Sequence, residues 1–195
     1  KVQPQMDYLN TIREVLPRNG FFVPELSQMG FATWAGGMPI YEPRTYISEG
    51  FQGTLGFGFP TALGVKAANP DRAVVSVNGD GGFMFGVQEL ATAVQYKIGL
   101  IVIIFNNNAY GTIRMHQEKT YPGRVSGTAL VNPDFAALAR AYGGHGEHVT
   151  RSQDFADAFA RARASGTFAV IACKVDDEAL STGATLSAVR KAAGG

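Results

Sequence analysis

The sequence predicts an α/β fold of three layers, a doubly wound parallel sheet with helices on both faces. Three observations predict it. The runs Ala73–Val77, Leu100–Phe105 and Phe168–Cys173 are continuously apolar rather than alternating, as strands covered on both faces must be. Segments with helical spacing separate these runs, so strand and helix alternate along the chain. Polar clusters rich in glycine or asparagine follow two of the runs directly, at the strand ends where parallel sheets bind ligands.

Taken in order, Met6, Leu9, Ile12, Val15 and Leu16 recur at helical spacing behind Pro4, which suits a first turn, and Pro17 with Gly20 ends the helix. Phe21 to Val23 reads as a short buried strand, followed by a helical stretch to about Trp34. Tyr46 to Gly58 is a glycine-rich loop, Pro60 opens a helix to about Asn69, and Asn69-Pro70-Asp71 makes a turn. After the strand Ala73–Val77, a helix is expected from near Phe83, with Val87, Leu90, Ala91 and Val94 on one face. Beyond the strand Leu100–Phe105, Asn132 is expected to cap and Pro133 to open a helix to about Tyr142. Ser152 is expected to cap another from Asp154 to about Ala164. His145 and His148 fall in an expected turn, and the last dozen residues, rich in Ala, Gly and Ser, read as loosely held.

The 195 residues, 46% of them hydrophobic, suffice for one domain with a sizeable core, so 1–195 is read as a single domain. The chain starts with Lys1 and enters a helical pattern almost at once, which reads as a piece of a longer protein. Seventeen basic against sixteen acidic side chains give a net charge of +1, which argues against a nucleic-acid track or an anionic membrane as partner. The apolar run Ile98 to Phe105 is too short to span a bilayer, and Cys173 sits in a buried-strand context with no cysteine to pair with. A cytoplasmic protein is expected.

The chemistry concentrates in two clusters. Ala73–Val77 runs into Asn78-Gly79-Asp80-Gly81-Gly82, and Leu100–Phe105 runs into Asn106-Asn107-Asn108. A right-handed crossover returns the chain so that both strand ends open on one sheet edge, and Asp80 and Asn107, 27 positions apart, can converge. A carboxylate, an amide oxygen and a nearby main-chain carbonyl make a hard, incompletely filled oxygen set, suited to Mg²⁺ that also binds phosphate and unsuited to zinc or copper. Gly79, Gly81 and Gly82 leave room for an anion at the start of the following helix. Taken alone, each cluster is as well explained by ordinary turn and capping chemistry. Their joint placement favours a metal-bridged diphosphate.

Gly79-Asp80-Gly81 followed by Asn106-Asn107 resembles the signature of thiamine-diphosphate enzymes, and Gln88-Glu89-Leu90-Ala91-Thr92-Ala93 is similar to the acetolactate synthase and 2-oxo-acid decarboxylase group. The loop Gly53-Thr54-Leu55-Gly56-Phe57-Gly58-Phe59-Pro60 also resembles that group, and the resemblance covers nearly the whole chain. It implies the thiamine-diphosphate-binding fold, with thiamine diphosphate and Mg²⁺ as cofactors. It further implies that Asp80 and Asn107 ligate the metal through side chains and Ala109 through its carbonyl. Gly81 and Gly82 would offer amides to the diphosphate, Leu55 would prop the bent cofactor, and the Gly53 carbonyl would accept from its amino group. Ser27-Gln28-Met29 stands where acetolactate synthases commonly carry Gly-Gln-His. Gln28 agrees as a cofactor contact, whereas Met29 has no donor for phosphate.

In this family the glutamate that activates the cofactor lies on a different domain, usually of a partner subunit, so no catalytic residue is assigned to this chain. The resemblance implies a lyase or transferase acting on a 2-oxo acid, as a homodimer or homotetramer, with the isolated domain inactive. Segment 111–131, with Arg114, His116, Gln117, Lys119, Tyr121 and Arg124, reads equally as a substrate lid and as a solvated surface loop. Two alternatives stay open. One is a non-catalytic module of the same fold. The other is a nicotinamide-dinucleotide domain, which Met84 at the third glycine position and the absence of a ribose-binding acid both oppose.

Overall fold

Apolar strands without a polar face must be covered on both sides, and this requirement organises the chain. In the computed structural model, which describes residues 3–193, five strands form one sheet in the order β1-β2-β3-β5-β4. They are β1 (Phe21–Pro24), β2 (Val74–Gly79), β3 (Ile101–Asn106), β4 (His145–Val149) and β5 (Ala169–Lys174). Every pairing is parallel.

Successive side chains of a strand point to opposite faces. Val75, Val77, Ile103, Phe105 and Ile171 pack under one layer, made of α1 (Gln5–Val15), α2 (Gln28–Ala32) and α8 (Phe155–Ala164). Val74, Val102, Ile104, Val170 and Ala172 pack under the other, made of α3 (Gly58–Ala68), α4 (Asp80–Met84), α5 (Leu90–Gln95) and α7 (Phe135–Ala141). The chain advances from β1 to β3, skips to the edge at β4 and returns through β5. Right-handed crossovers change face when the direction of advance reverses, which puts α8 opposite α7. The doubly wound expectation is met. Outside the three layers, α6 (Gly111–Thr120) and α9 (Leu186–Ala193) pack together around Met115, Leu180 and Leu186.

Several local expectations are corrected. β2 continues past Val77, pairing Asn78 with Ile104 and Gly79 with Phe105, so the next helix starts at Asp80 rather than near Phe83. A 3-10 turn at Val87–Glu89 shifts the helical phase, so Leu90 and Ala93 are buried while Ala91 and Val94 face outward. His145 and His148 lie in β4, whose polar pattern reflects its place at the sheet edge. Asp134, not Asn132, caps α7, accepting the Ala137 N–H at 2.8 Å. The Ser152 hydroxyl donates to Asp7 at 3.2 Å instead of capping α8. The tail is not loose through residue 193, because α9 buries Leu186 and Val189. Lys1 and the two terminal glycines lie outside the described residues.

Candidate functional site

Since β2 and β3 are adjacent and parallel, Asp80 and Asn106 to Asn108 emerge side by side at the carboxyl edge. One donor joins them. The Ala109 N–H donates to Asp80 Oδ2 at 3.3 Å and to Asn107 Oδ1 at 3.1 Å, so two residues far apart in sequence share a single hydrogen. Asn108 adopts a left-handed backbone, φ 54°, a conformation asparagine tolerates better than most residues, and this turns the chain so that Ala109 faces Asp80. A returning segment fixes the turn from behind. Leu130 N–H donates to the Asn108 carbonyl at 2.8 Å, and Tyr110 N–H to the Thr128 carbonyl at 2.9 Å.

Asp80 is 2% exposed. Its pKa is raised by desolvation, against the opposing effect of donors from Asn132, Gly81 and Ala109. These donors are all neutral. Desolvation therefore prevails, and among the described residues no cationic side chain contributes to the shift of this carboxylate, a condition that a divalent ion would relieve. Among the described residues no three His, Cys, Asp or Glu side chains cluster as a metal site. A metal at this edge would find one carboxylate together with amide and carbonyl oxygens, a set that would suit Mg²⁺ completed by phosphate and water.

The same edge opens into a pocket lined by Ser27, Gln28, Leu55, Gly79 to Gly82, Asn107, Ala109 and the start of α6. A Cβ on Gly79 would meet only Ser27 at 3.6 Å, so a side chain there would project into pocket space. Gly81 and Gly82 are constrained by protein instead: a Cβ would lie 2.5 Å from the Tyr110 ring in one and overlap the Glu25 carboxyl in the other.

Residues 27–173 match the model of the family described as thiamine pyrophosphate enzyme, C-terminal TPP binding domain. The chain belongs to that family. Among relatives of this TPP-binding domain, the acetolactate synthase large subunit of Haemophilus influenzae is 49% identical over 106 residues, covering 54% of this chain and 18% of that protein. The large subunit of Buchnera aphidicola subsp. Acyrthosiphon pisum is 34% identical over 151 residues, 77% of this chain and 26% of that one. The thiamine-diphosphate-dependent 4-hydroxybenzoylformate decarboxylase of Rhodococcus jostii RHA1 matches in structure with a TM-score of 0.80 and 32% identity, over 88% of this chain and 32% of that one. The chain thus spans roughly a fifth to a third of these proteins. The resemblance read from the sequence holds, with thiamine diphosphate as the cofactor of the family, and the nicotinamide alternative falls.

Within the TPP-binding domain, Leu55 and Gln28 line the pocket, and the Gln28 Nε2 donates to Thr112 Oγ1 at 3.1 Å across its mouth. Gly53 sits at φ 60°, ending a 3-10 turn ahead of Leu55. Half of segment 111–131 is α6, whose first residues line the pocket, while His116 is exposed. Two residues escaped the sequence reading. Glu25, just past β1, is 1% exposed and accepts the Gly56 N–H through Oε1, while Oε2 has no partner. Burial raises its pKa to about 7, with Gly56 opposing and Glu49 adding to the shift. Asn132 points into the site, with its Nδ2 2.7 Å from Asp80 Oδ2. For Glu25 the sequence carried no signal, since nothing in Pro24-Glu25-Leu26 says what will cover it. For Asn132 the signal was present but shared with helix capping.

Proposed function

We propose that this chain is one domain of a longer thiamine-diphosphate enzyme acting on a 2-oxo acid, and that it holds the diphosphate through Mg²⁺. The single observation that carries the metal assignment is the shared Ala109 N–H, which brings Asp80 and Asn107 together at one sheet edge. In this reading Asp80 and Asn107 supply side-chain oxygens to the metal and Ala109 its carbonyl. Gly79, Gly81 and Gly82 form the floor on which the diphosphate lies at the start of α4. Leu55 presents an apolar surface to the thiazolium, Gly53 accepts through its carbonyl, and Gln28 closes the rim.

Thiamine diphosphate, when bound, supplies the electron sink that 2-oxo-acid decarboxylation or carbon-carbon ligation requires. The chain's own contribution is positional and electrostatic: it fixes an uncompensated carboxylate and keeps an apolar wall against the ring. The activating glutamate implied by the family resemblance is assigned to another domain. Trp34, Phe51, Phe85 and Ile113 stand exposed, and large apolar side chains of this kind fit cover by such a domain or by a second subunit. A homodimer or homotetramer follows from that reading. A cytoplasmic setting is part of the same proposal; among the described residues no helix is long and apolar enough to cross a membrane.

Calorimetric titration of the intact enzyme with thiamine diphosphate, with and without Mg²⁺, tests the assignment. Asp80→Ala and Asn107→Ala should each weaken Mg²⁺-dependent binding by at least about tenfold. Undiminished affinity in Asp80→Ala would overturn it.

A further inference from the structure

Asn132 lies 52 positions beyond Asp80, in the loop before α7, and its side chain makes none of the helix-capping contacts that its residue type suggests. Its Nδ2 lies 2.7 Å from Asp80 Oδ2, 3.0 Å from Asn106 Oδ1 and 3.3 Å from Asn108 Oδ1. Three acceptors surround a nitrogen that carries two hydrogens, so the positive end of the amide dipole is fully engaged. The three acceptors have a pattern. Asn106 and Asn108 flank Asn107, and both direct their oxygens to Asn132, while Asn107 directs its own to the Ala109 N–H. Asp80 joins the same donor from the neighbouring strand.

We propose that Asn132 is a positioning residue for the metal: it orients Asp80 and Asn107 together by holding the carboxylate directly and the two asparagines on either side of Asn107. Its own location is set by the backbone bonds that tie Leu130 and Thr128 to Asn108 and Tyr110, so the returning segment delivers the amide to the edge of the sheet. A ligand carboxylate that is itself hydrogen-bonded loses less freedom when it binds a metal, and removal of such an outer partner typically weakens metal affinity by about 10- to 100-fold. This inference rests on the assignment of Asp80 and Asn107 as metal ligands.

The test uses Mn²⁺ as a spectroscopic stand-in for Mg²⁺, titrated into the intact enzyme at saturating thiamine diphosphate and followed by electron paramagnetic resonance, with melting temperature as the second readout. Asn132→Ala should raise the Mn²⁺ dissociation constant by about 10- to 100-fold while lowering the cofactor-free melting temperature no more than Asp134→Ala does. Asp134→Ala is the crossed control. It removes the α7 cap, so it should lower the melting temperature by several degrees and leave the Mn²⁺ affinity unchanged. Asn132→Ser, too short to reach both loops, replaces Asn132→Ala in the comparison if the alanine variant does not fold. Wild-type Mn²⁺ affinity in the Asn132 variant overturns the positioning role, as does a loss of affinity matched by Asp134→Ala. Failure of the ligand assignment reads differently: Asp80→Ala would then bind Mn²⁺ as tightly as the wild type.

Discussion

At the scale of single residues, Glu25 shows how much of this site is decided by what lies beneath it. Its carboxyl holds the Gly56 N–H of the loop carrying Leu55 and lies against Gly82 at the start of α4, so it joins the two halves of the pocket. Burial, the largest cause, raises its pKa from 4.5 to about 7, so the folded protein retains a proton that the unfolded chain has already released. The stabilisation tied to that proton is fully present below pH 4.5 and is lost as the pH rises to about 7. Glu25→Gln keeps the acceptor for Gly56 and removes the titration. The stability difference between wild type and variant should therefore shift by on the order of 3 kcal/mol between pH 4.5 and 8, in favour of the variant at the upper end. Denaturant unfolding across that range checks it, and parallel curves would contradict it. At Gly81, alanine would press on the Tyr110 ring, which lies 2.5 Å from where its Cβ must go. We expect Gly81→Ala to cost about 1–3 kcal/mol in the same assay, with Tyr110→Ala recovering part of the loss.

At the scale of elements, an ion pair to a buried carboxylate adds to the apolar contact that packs α9 on α6. Glu118 is fully buried and takes Arg190 in both oxygens, Nε at 2.9 Å and Nη2 at 2.6 Å, while the Gly123 N–H adds a third bond at 2.8 Å. The Arg190 guanidinium is the main reason the Glu118 pKa falls from 4.5 to about 2, with desolvation opposing. A depressed carboxyl stabilises above its unfolded pKa, so this clasp is complete above pH 4.5 and opens as the pH falls toward 2. Arg190→Met should speed amide exchange in α9 by about five- to tenfold and leave α8 unchanged; equal effects on both would show that the pair serves the whole fold instead. α9 itself was illegible in the sequence, because its Ala- and Ser-rich stretch buries only Leu186 and Val189. Caps failed for a related reason. Asn132 and Asp134 are equally good capping types two positions apart, and only the neighbouring strand decides which of them turns away. The central strands were legible throughout, since a continuous apolar run needs cover on both faces whatever surrounds it.

At the scale of the whole molecule, the convergence of Asp80 and Asn107 is readable in the sequence because adjacent parallel strands joined by a right-handed crossover must end together. What topology does not give is the electrostatic state of the edge: a buried carboxylate facing the floor on which we place an anion. That state makes a strong demand on binding. On the proposed assignment, Asp80 without metal would repel a diphosphate, and one carboxylate with neutral oxygens would hold Mg²⁺ poorly without the diphosphate. The two ligands must therefore bind with positive coupling, on the order of 1–3 kcal/mol, and linkage requires that Mg²⁺ raise thiamine diphosphate affinity by the same factor by which thiamine diphosphate raises Mg²⁺ affinity. At saturating Mg²⁺, thiamine diphosphate at about 100-fold over its dissociation constant should add about 2.7 kcal/mol of stability, and the same concentration without Mg²⁺ should add less. Asp80→Asn separates the two effects, because it removes the repulsion and the charged ligand at once. In metal-free buffer this variant should bind thiamine diphosphate more tightly than the wild type does, and added Mg²⁺ should improve it little. If calorimetry finds metal-free affinity unchanged in Asp80→Asn, the carboxylate does not face the diphosphate, and the electrostatic account of this edge fails even if the metal still binds there.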